Sequence, residues 1–232
     1  MSEAMGASTL LTDADVRPPG TGILGRLRAT GPAGLASAGV IVIATFAAFF
    51  GSLLAVVAAW RRGAVDAMIS SGLDILFAFP GILLAVLAAA VFGAGLPAAA
   101  TALAVAYTPY VARVLRGAAL KERGQPYVAA LEVQGVSAPG ICLRHLVPNM
   151  LPLIIAQATI MFGWAMVDLA AISFLGLGVQ PPNPDWGVMI SENQTGIPQG
   201  YPLPALSAGI CIVVVVVAFN VLGERLFAEV DR

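Results

Sequence analysis

Two carboxylates, Asp74 and Asp168, are the ionisable side chains that lie closest to the long apolar stretches of this sequence. Ionisable groups at membrane depth are candidates for function, because a charge there is costly. A pair of acids could serve an intramembrane aspartyl protease, provided that both lie at one depth. Each acid lies near the end of a predicted span, Asp74 near one face of the membrane and Asp168 near the other. We therefore expect each to be hydrated or paired with a nearby arginine.

The other reactive side chains are few and form no catalytic pattern. His145 is the single histidine, and it lies in a polar loop rather than beside a serine at membrane depth. The two cysteines, Cys142 and Cys211, have no metal-ligand spacing. The single lysine, Lys121, is followed by Glu122, so the chain lacks the G-x-x-x-x-G-K-[ST] loop that binds phosphate. We expect no catalytic, metal or cofactor site on this chain.

The composition indicates a membrane protein. Of its 232 residues, 59% are hydrophobic and 11% are charged, whereas a soluble domain has about 25% charged residues. Membrane lipid is therefore an expected partner, and the net charge of -1 gives no indication of nucleic-acid binding. Residues 1–30 lack the apolar core of a secretory signal peptide. We interpret them as a mobile tail.

Uncharged stretches predict an all-α polytopic bundle in one transmembrane domain, residues 31–232. About 20 helical residues cross the apolar layer. The run from Ile75 to Ala112 is too long for one crossing, and Gly93 to Pro97 divides it. Pro80 is expected to kink the first half. The five predicted spans are about 35–59, 72–92, 97–115, 150–174 and 203–222, with a coupling loop at 120–148 and an external loop at 176–202.

The basic residues predict the orientation of this bundle. Cytoplasmic loops carry the excess of positive charge in membrane proteins. Five spans place the C-terminus and loop 120–148 on one side, which is then the cytoplasm, and the N-terminus with Arg17, Arg26 and Arg28 outside. The basic residues on the cytoplasmic side are Arg61, Arg62, Arg113, Arg116, Lys121, Arg123, Arg144, Arg225 and Arg232.

The longest polar interruption between the apolar runs is YVAALEVQGVSAPGICLRHLVPN, from Tyr127 to Asn149. Ala129 to Glu132 favour a helix, and Gly135 suits its end. Ser137 before Ala-Pro suits the start of a second short helix that reaches about His145. Two short helices hinged at a glycine would form a compact knob that fits a groove on a partner. The alternative is a solvated basic connection between spans.

A second distinctive stretch is SFLGLGVQPPNPDWGVMI, from Ser173 to Ile190. Its glycines allow the chain to leave the preceding span at a sharp angle, its prolines stiffen the residues after that turn, and its tryptophan can lie at the membrane interface. These properties describe a stiff external segment that turns sharply as it leaves the span. The residues concerned are Phe174, Gly176, Gly178, Pro181, Pro182 and Trp186.

Together, the two stretches resemble the permeases of bacterial ABC importers over roughly residues 35–227. The first is similar to their EAA loop, and the second is similar to the segment before the last span in permeases of the dipeptide, oligopeptide and nickel group. Ala129 departs from the pattern, since the family usually has Glu there and this chain has Glu132 instead. The resemblance implies an ATPase-coupling loop that includes Ala130, Glu132, Gly135, Ser137, Arg144, His145, Pro148 and Asn149. It also implies that Ser173 to Ile190 form the outer mouth of a pathway or a receptor contact, with an ordinary stiff loop as the alternative.

The resemblance also implies a function and partners. The chain would be a permease subunit of an ATP-driven importer in the bacterial inner membrane, for dipeptides, oligopeptides or nickel complexes. Its partners would be a second homologous permease, two ATPase subunits that carry ATP and Mg²⁺, and an external solute-binding protein. Because the family usually has one more N-terminal span, we expect either a short variant or a start further upstream.

Two other function classes remain open from the residues alone. A polytopic intramembrane enzyme would need its acids, or its histidine and a serine, to meet at membrane depth. An autonomous secondary transporter usually has buried coupling charges and an internal inverted repeat, and the sequence shows neither.

Overall fold

The computed structural model describes residues 32–181 and 183–230, and these ranges contain helices and turns without a β-strand. The all-α class predicted from the sequence is confirmed for these residues. The tail at 1–30 and the predicted mouth residue Pro182 lie outside them.

The centre of the bundle is a long helix pair, α1 (Pro32–Arg61) and α4 (Leu96–Arg123), which make the most extensive helix contact. Small side chains allow the two backbones to approach closely. A Cβ added at Gly51 would lie only 2.9 Å from the Cβ of Val111. Arg123 donates a 2.8 Å hydrogen bond to the carbonyl of Ala59 and stacks over the Trp60 ring, so it stabilises the C-terminal end of α1.

Both central helices finish at one end of the bundle, which also carries Arg61, Arg62 and Lys121; we call it the basic end. The opposite end holds the start of α4 and the segment after residue 174, and we call it the loop end. The backbone N–H of Gly95 donates to the carbonyl of Leu177 there, so α4 begins beside that segment.

The apolar segment predicted as one span over 72–92 is divided between two helices. These are α2 (Gly63–Phe77) and α3 (Gly81–Phe92), bent by 79° with respect to each other. Pro80 explains the break, because it lacks a backbone N–H and disfavours helical geometry in the residue before it. The sequence predicts a kink at this proline, but the structure has a complete break. Asp66 on α2 accepts two 2.6 Å hydrogen bonds from Arg116 on α4, which ties α2 to the central pair.

A short helix, α5 (Pro126–Val133), comes after α4, and α6 (Ala138–Ile141) comes after α5. From Ala138 the chain stays helical to Phe174, through a π-helical turn at Cys142–Leu146 and then α7 (Val147–Phe174). The helical segment therefore starts well before the span predicted at 150–174. Pro148 accounts for the π-helical turn, because it cannot donate to the carbonyl four residues earlier and its ring would clash there.

The remaining helices are α8 (Trp186–Asn193), a 3-10 turn (Gln194–Gly196) and α9 (Leu203–Val230). Helix α9 packs on α7 through stacked Phe162 and Phe219 rings, whose centroids are 3.9 Å apart. Gly223 allows this approach, since a Cβ there would lie 2.7 Å from Ile160.

Within residues 32–181 and 183–230, four helical segments are long and apolar enough to cross a membrane, or five if the bent α2–α3 pair counts as one span. The four are Ala38–Arg61, Leu96–Arg123, Ala138–Phe174 and Leu203–Leu226. Most of the outward face of α9 is apolar and exposed, as expected for a helix that faces lipid.

Candidate functional site

The polar interruption folds as a bent helical unit at the basic end, which we call the elbow (residues 126–146). Gly135, at φ 77°, ends α5 in the left-handed conformation. The N–H of Gly135 donates to the carbonyl of Glu132, and that of Val136 donates to Leu131. These two bonds form a Schellman motif, which satisfies the last carbonyls of α5 and turns the chain toward α6. The hinge predicted at Gly135 is confirmed as a turn.

One face of the elbow is anchored in the bundle. Val128 on α5, Ile141 on α6 and Leu146 in the π-helical turn are at most 2% exposed. Leu146 belongs to the apolar core that α1, α4 and α7 share at this end. Force applied to the elbow therefore reaches the long helices through close-packed side chains.

A hydrogen-bonded group also joins the elbow to α4 and α7. The carboxylate of Glu122 accepts from the Tyr127 hydroxyl at 2.7 Å and from the Asn149 amide at 2.9 Å. Burial of the phenol and its bond to Glu122 raise the pKa of Tyr127 to about 12. The phenol therefore keeps its proton near neutral pH and can donate this bond. The sequence reasoning assigned no role to Glu122 or Tyr127, although Tyr127 is the first residue of the polar stretch.

The opposite face of the elbow is exposed and partly apolar. Val133 is 90% exposed and Leu143 is 70% exposed, beside the exposed Arg144. Apolar side chains displayed at a polar end of a molecule indicate a surface that a partner covers. The elbow thus combines a free outer face with an inner face that is fixed to three long helices.

The structure brings the predicted coupling residues to this region in different roles. Ser137 is the N-cap residue of α6, at the helix start that the sequence predicts, although its side chain makes no capping hydrogen bond. His145 packs beside the Tyr127 ring, with centroids 6.4 Å apart. Asn149 belongs to the Glu122 group and Pro148 is exposed in the first turn of α7. The exposed members of the set are Ala130, Glu132, Gly135, Ser137, Arg144, Pro148 and Asn149.

At the loop end, the predicted mouth begins with a second Schellman motif. Phe174 is the last residue of α7, and Gly176, at φ 74°, turns the chain. The N–H groups of Gly176 and Leu177 donate to the carbonyls of Ser173 and Ile172. The buried hydroxyl of Ser173 then accepts from the Val179 N–H at 3.1 Å. The sharp exit predicted for this segment is confirmed.

The rest of the mouth segment folds back onto α7 instead of extending away from it. Gly178 lies against Ser173, and a Cβ at Gly187 would overlap the carbonyl oxygen of Ala170. Asp185 caps α8 by accepting from the N–H of Gly187 at 2.8 Å. Pro181 is exposed, and Trp186, the first residue of α8, is half-buried. Residues 175–181 and 183–190 are therefore a packed cover over the end of α7. Sequence reasoning assigned no role to Asp185 or Gly187, although an Asp just before a helical stretch is an N-cap signal.

The two acids near membrane depth have separate partners. Asp74 pairs with Arg113, which agrees with the expectation from the sequence. Asp168 instead accepts a 2.6 Å hydrogen bond from the Tyr107 hydroxyl, and no arginine among the described residues forms an ion pair with it; the hydration that was the other expectation stays a prediction. The two carboxylates do not meet as an aspartyl dyad. Among the described residues, no three His, Cys, Asp or Glu side chains converge to hold a metal ion.

Residues 47–232 match the family model described as the binding-protein-dependent transport system inner membrane component. The chain belongs to this family. It is a multi-pass membrane protein, and the family predicted from the two motifs is confirmed.

Among curated proteins, the chain is 38% identical over 187 residues to the dipeptide transport system permease protein DppC of Alkalihalophilus pseudofirmus, covering 81% of this chain and 61% of that protein. It is 34% identical over 181 residues to the glutathione transport system permease protein GsiD of Pectobacterium atrosepticum, covering 78% and 60%. The chain thus spans about 60% of the length of the curated relatives that it matches.

A solved structure supports the fold. The MetNI methionine ABC transporter in an inward-facing conformation has a chain that matches with a TM-score of 0.67. The match covers 90% of this chain and 98% of that chain at 22% identity, a likeness that shows the fold alone.

Proposed function

We propose that this chain is a transmembrane permease subunit of an ATP-driven importer for dipeptides or oligopeptides. Family membership supports the transport role. The names of the two relatives support the solute class, since one is called a dipeptide transporter component and the other a glutathione transporter component, and both solutes are small peptides.

The elbow is the observation that carries this proposal. A permease driven by a separate ATPase needs a surface that the ATPase can grip and a rigid link from that surface to the spans. Val133 and Leu143 supply an exposed apolar surface, and Leu146 and Asn149 connect the elbow to the long helices. ATP and Mg²⁺ would be held by the ATPase subunits, because the single lysine of this chain does not lie in a phosphate-binding loop.

The basic end would face the cytoplasm, as the positive-inside bias requires, together with the C-terminus. The covered end of α7 would then face outward, where an external solute-binding protein delivers solute. A second homologous permease would complete the pathway, since a single bundle of four or five spans leaves a large apolar surface exposed.

The test is co-purification of the full chain, tagged after Arg232, from membranes of its host, with mass spectrometry of the proteins retained. The unchanged chain should retain an ATPase with a phosphate-binding loop and a second, non-identical permease. Val133→Asp should lower the retained ATPase at least tenfold, because it would bury an unpaired charge at the contact. It should leave the second permease in place.

Ile197→Asp is the matched control, because it adds the same charge at an exposed apolar position of the loop end. It should retain the ATPase fully. Recovery of the chain without any ATPase would refute the proposed function. Equal ATPase retention by Val133→Asp and the unchanged chain would refute the elbow as the contact.

A further inference from the structure

The break between α2 and α3 lies deep within the apolar length of the bundle. It adjoins Tyr107, which is eleven residues after Leu96 and therefore about 16 Å along α4 from the loop end. Arg123, at the basic end, is about 24 Å away in the other direction. Non-helical backbone at membrane depth is tolerated only where it is buried in protein or lines a water-filled cavity. A break at this depth therefore calls for an explanation.

A cavity of about 220 Å³ adjoins the break. Aromatic side chains from three elements line it: Phe77 and Phe79 beside the break, Tyr107 and Tyr110 on α4, and Trp164 on α7. Tyr110 and Trp164 lie with ring centroids 6.5 Å apart, and Trp164 is 57% exposed. The cavity is smaller than the roughly 300–1,000 Å³ of a pocket that encloses a drug-sized ligand. It can therefore hold one end of a solute rather than a whole peptide.

Asp168 is the one ionisable acid or base in the lining, apart from the two tyrosines. One carboxylate oxygen accepts from the Tyr107 hydroxyl, and the same oxygen faces Gly81 at the N-terminus of α3, where a Cβ would lie 3.9 Å away. The hydroxyl hydrogen of Tyr107 and the N-terminus of α3 both present positive partial charge to the carboxylate. Neither is a counter-ion, and none of the described arginine, lysine or histidine side chains forms an ion pair with Asp168.

A carboxylate at this depth is costly unless a positive charge meets it. The aromatic rings point to the same ligand, because ring faces attract cations and cages of such rings bind organic ammonium groups. The lining has no arginine or lysine that would attract an anion.

We propose that this cavity binds the ammonium group of the solute during passage, so that peptides with a free amino terminus are selected. This inference rests on the proposed function for the identity of the solute. Asp168 would meet the ammonium as counter-ion, Tyr110 and Trp164 would cover it, and Tyr107 would position the carboxylate.

The full chain in lipid nanodiscs, labelled with 5-fluorotryptophan, provides a direct test. Its tryptophans give separate fluorine NMR signals, and Trp164→Phe identifies the one in the cavity. Dialanine should shift the Trp164 signal to saturation, whereas N-acetyl-dialanine, which has no ammonium, should need at least a tenfold higher concentration.

Asp168→Asn should abolish this preference, and Asp74→Asn should preserve it, because Asp74 is paired with Arg113 and does not line the cavity. Should Asp168→Asn fail to fold, Tyr110→Leu serves as a second variant at a partly exposed position, and it should weaken dialanine binding several-fold. A Trp164 signal that responds equally to both peptides, or to neither, would overturn the inference.

The two proposals fail separately. If the ATPase co-purifies but the cavity shows no ammonium preference, the permease assignment stands and the cavity assignment is wrong. If the ammonium preference is present without a co-purifying ATPase, the cavity assignment stands and the importer is wrong. Loss of the preference when the second permease is co-expressed would make Asp168 the partner of an inter-subunit cation and would also overturn the inference.

Discussion

Substitution of Gly135 tests whether the elbow depends on a backbone conformation that only glycine adopts freely. Gly135 has φ 77° and its Cβ position is open, with no atom within 4 Å. Gly135→Ala should therefore cause backbone strain without a clash. A left-handed residue other than glycine costs about 1–2 kcal/mol. The equilibrium between the folded turn and its locally unfolded state should move toward the unfolded state by about 5–30-fold.

Hydrogen–deuterium exchange of the purified chain measures this shift directly. The Schellman motif protects the N–H groups of Gly135 and Val136, and these amides should exchange about 5–30-fold faster in Gly135→Ala. Gly135→Asn should have a smaller effect, because asparagine tolerates the left-handed conformation. Gly117→Ala is the matched control, since Gly117 lies inside α4 with free space around it. Unchanged exchange in Gly135→Ala would refute the strain argument.

A larger side chain at the same position tests the link to transport. Gly135→Trp adds bulk to the outer face of the elbow in addition to the same backbone strain, and the open surroundings leave room for it. We expect normal membrane insertion but loss of solute uptake driven by ATP. Uptake at the unchanged rate would contradict the assignment of the elbow as the element that couples the ATPase to the spans.

Two further changes test the packing of α7. Gly187→Ala should lower the melting temperature in detergent and release α8 from α7, because its methyl group would overlap the Ala170 carbonyl, at a cost of about 1–3 kcal/mol. Gly209→Ala is the control and should change the melting temperature little, because there is free space around Gly209. Equal melting temperatures of the two variants would argue against close packing of α8 on α7. Gln157→Met should raise the melting temperature, because the buried side-chain oxygen of Gln157 has no hydrogen-bond partner among the described residues. A buried polar group without a partner costs about 1–3 kcal/mol. A lower melting temperature of the variant would show that this oxygen does accept a hydrogen bond.

Local signals in the sequence are sufficient for the turns. Gly135 and Gly176 are both predicted to redirect the chain, and both adopt positive φ. Such a signal is local, because a glycine has no Cβ and can adopt positive φ without steric cost. The roles assigned to these glycines in coupling and in the mouth stay predictions.

Local signals fail where two of them compete. Proline usually marks a helix start, so Pro148 predicts a boundary between a loop and a span. In the structure the helix continues past it, because a π-helical turn at Cys142–Leu146 removes the need for the bond that proline cannot make. At Pro80 the same residue type breaks the helix completely. The difference depends on the surrounding packing, which the sequence does not show.

Contacts between distant residues are beyond the reach of sequence reasoning. Asp168 and Tyr107 are separated by 61 positions, and their hydrogen bond exists only because α7 crosses α4 at that height. The sequence shows readily that an acid lies within a predicted span, where burying its charge is costly. Its partner is determined by the relative register of two helices, which the sequence does not show. An arginine partner is therefore confirmed for Asp74, whereas Asp168 has the Tyr107 hydroxyl, a partner that the sequence did not predict.

The two glycine-ended turns lead into segments that are packed differently. The Cβ positions of Gly135 and Gly176 both meet open space, but the segment after Gly176 is crowded at Gly178 and Gly187 against the backbone and side chains of α7. A segment packed in this way moves only together with the helix beneath it. Motion applied at the elbow would thus reach the loop end through α7 as a unit, and the cover would move with that helix rather than open as an independent flap.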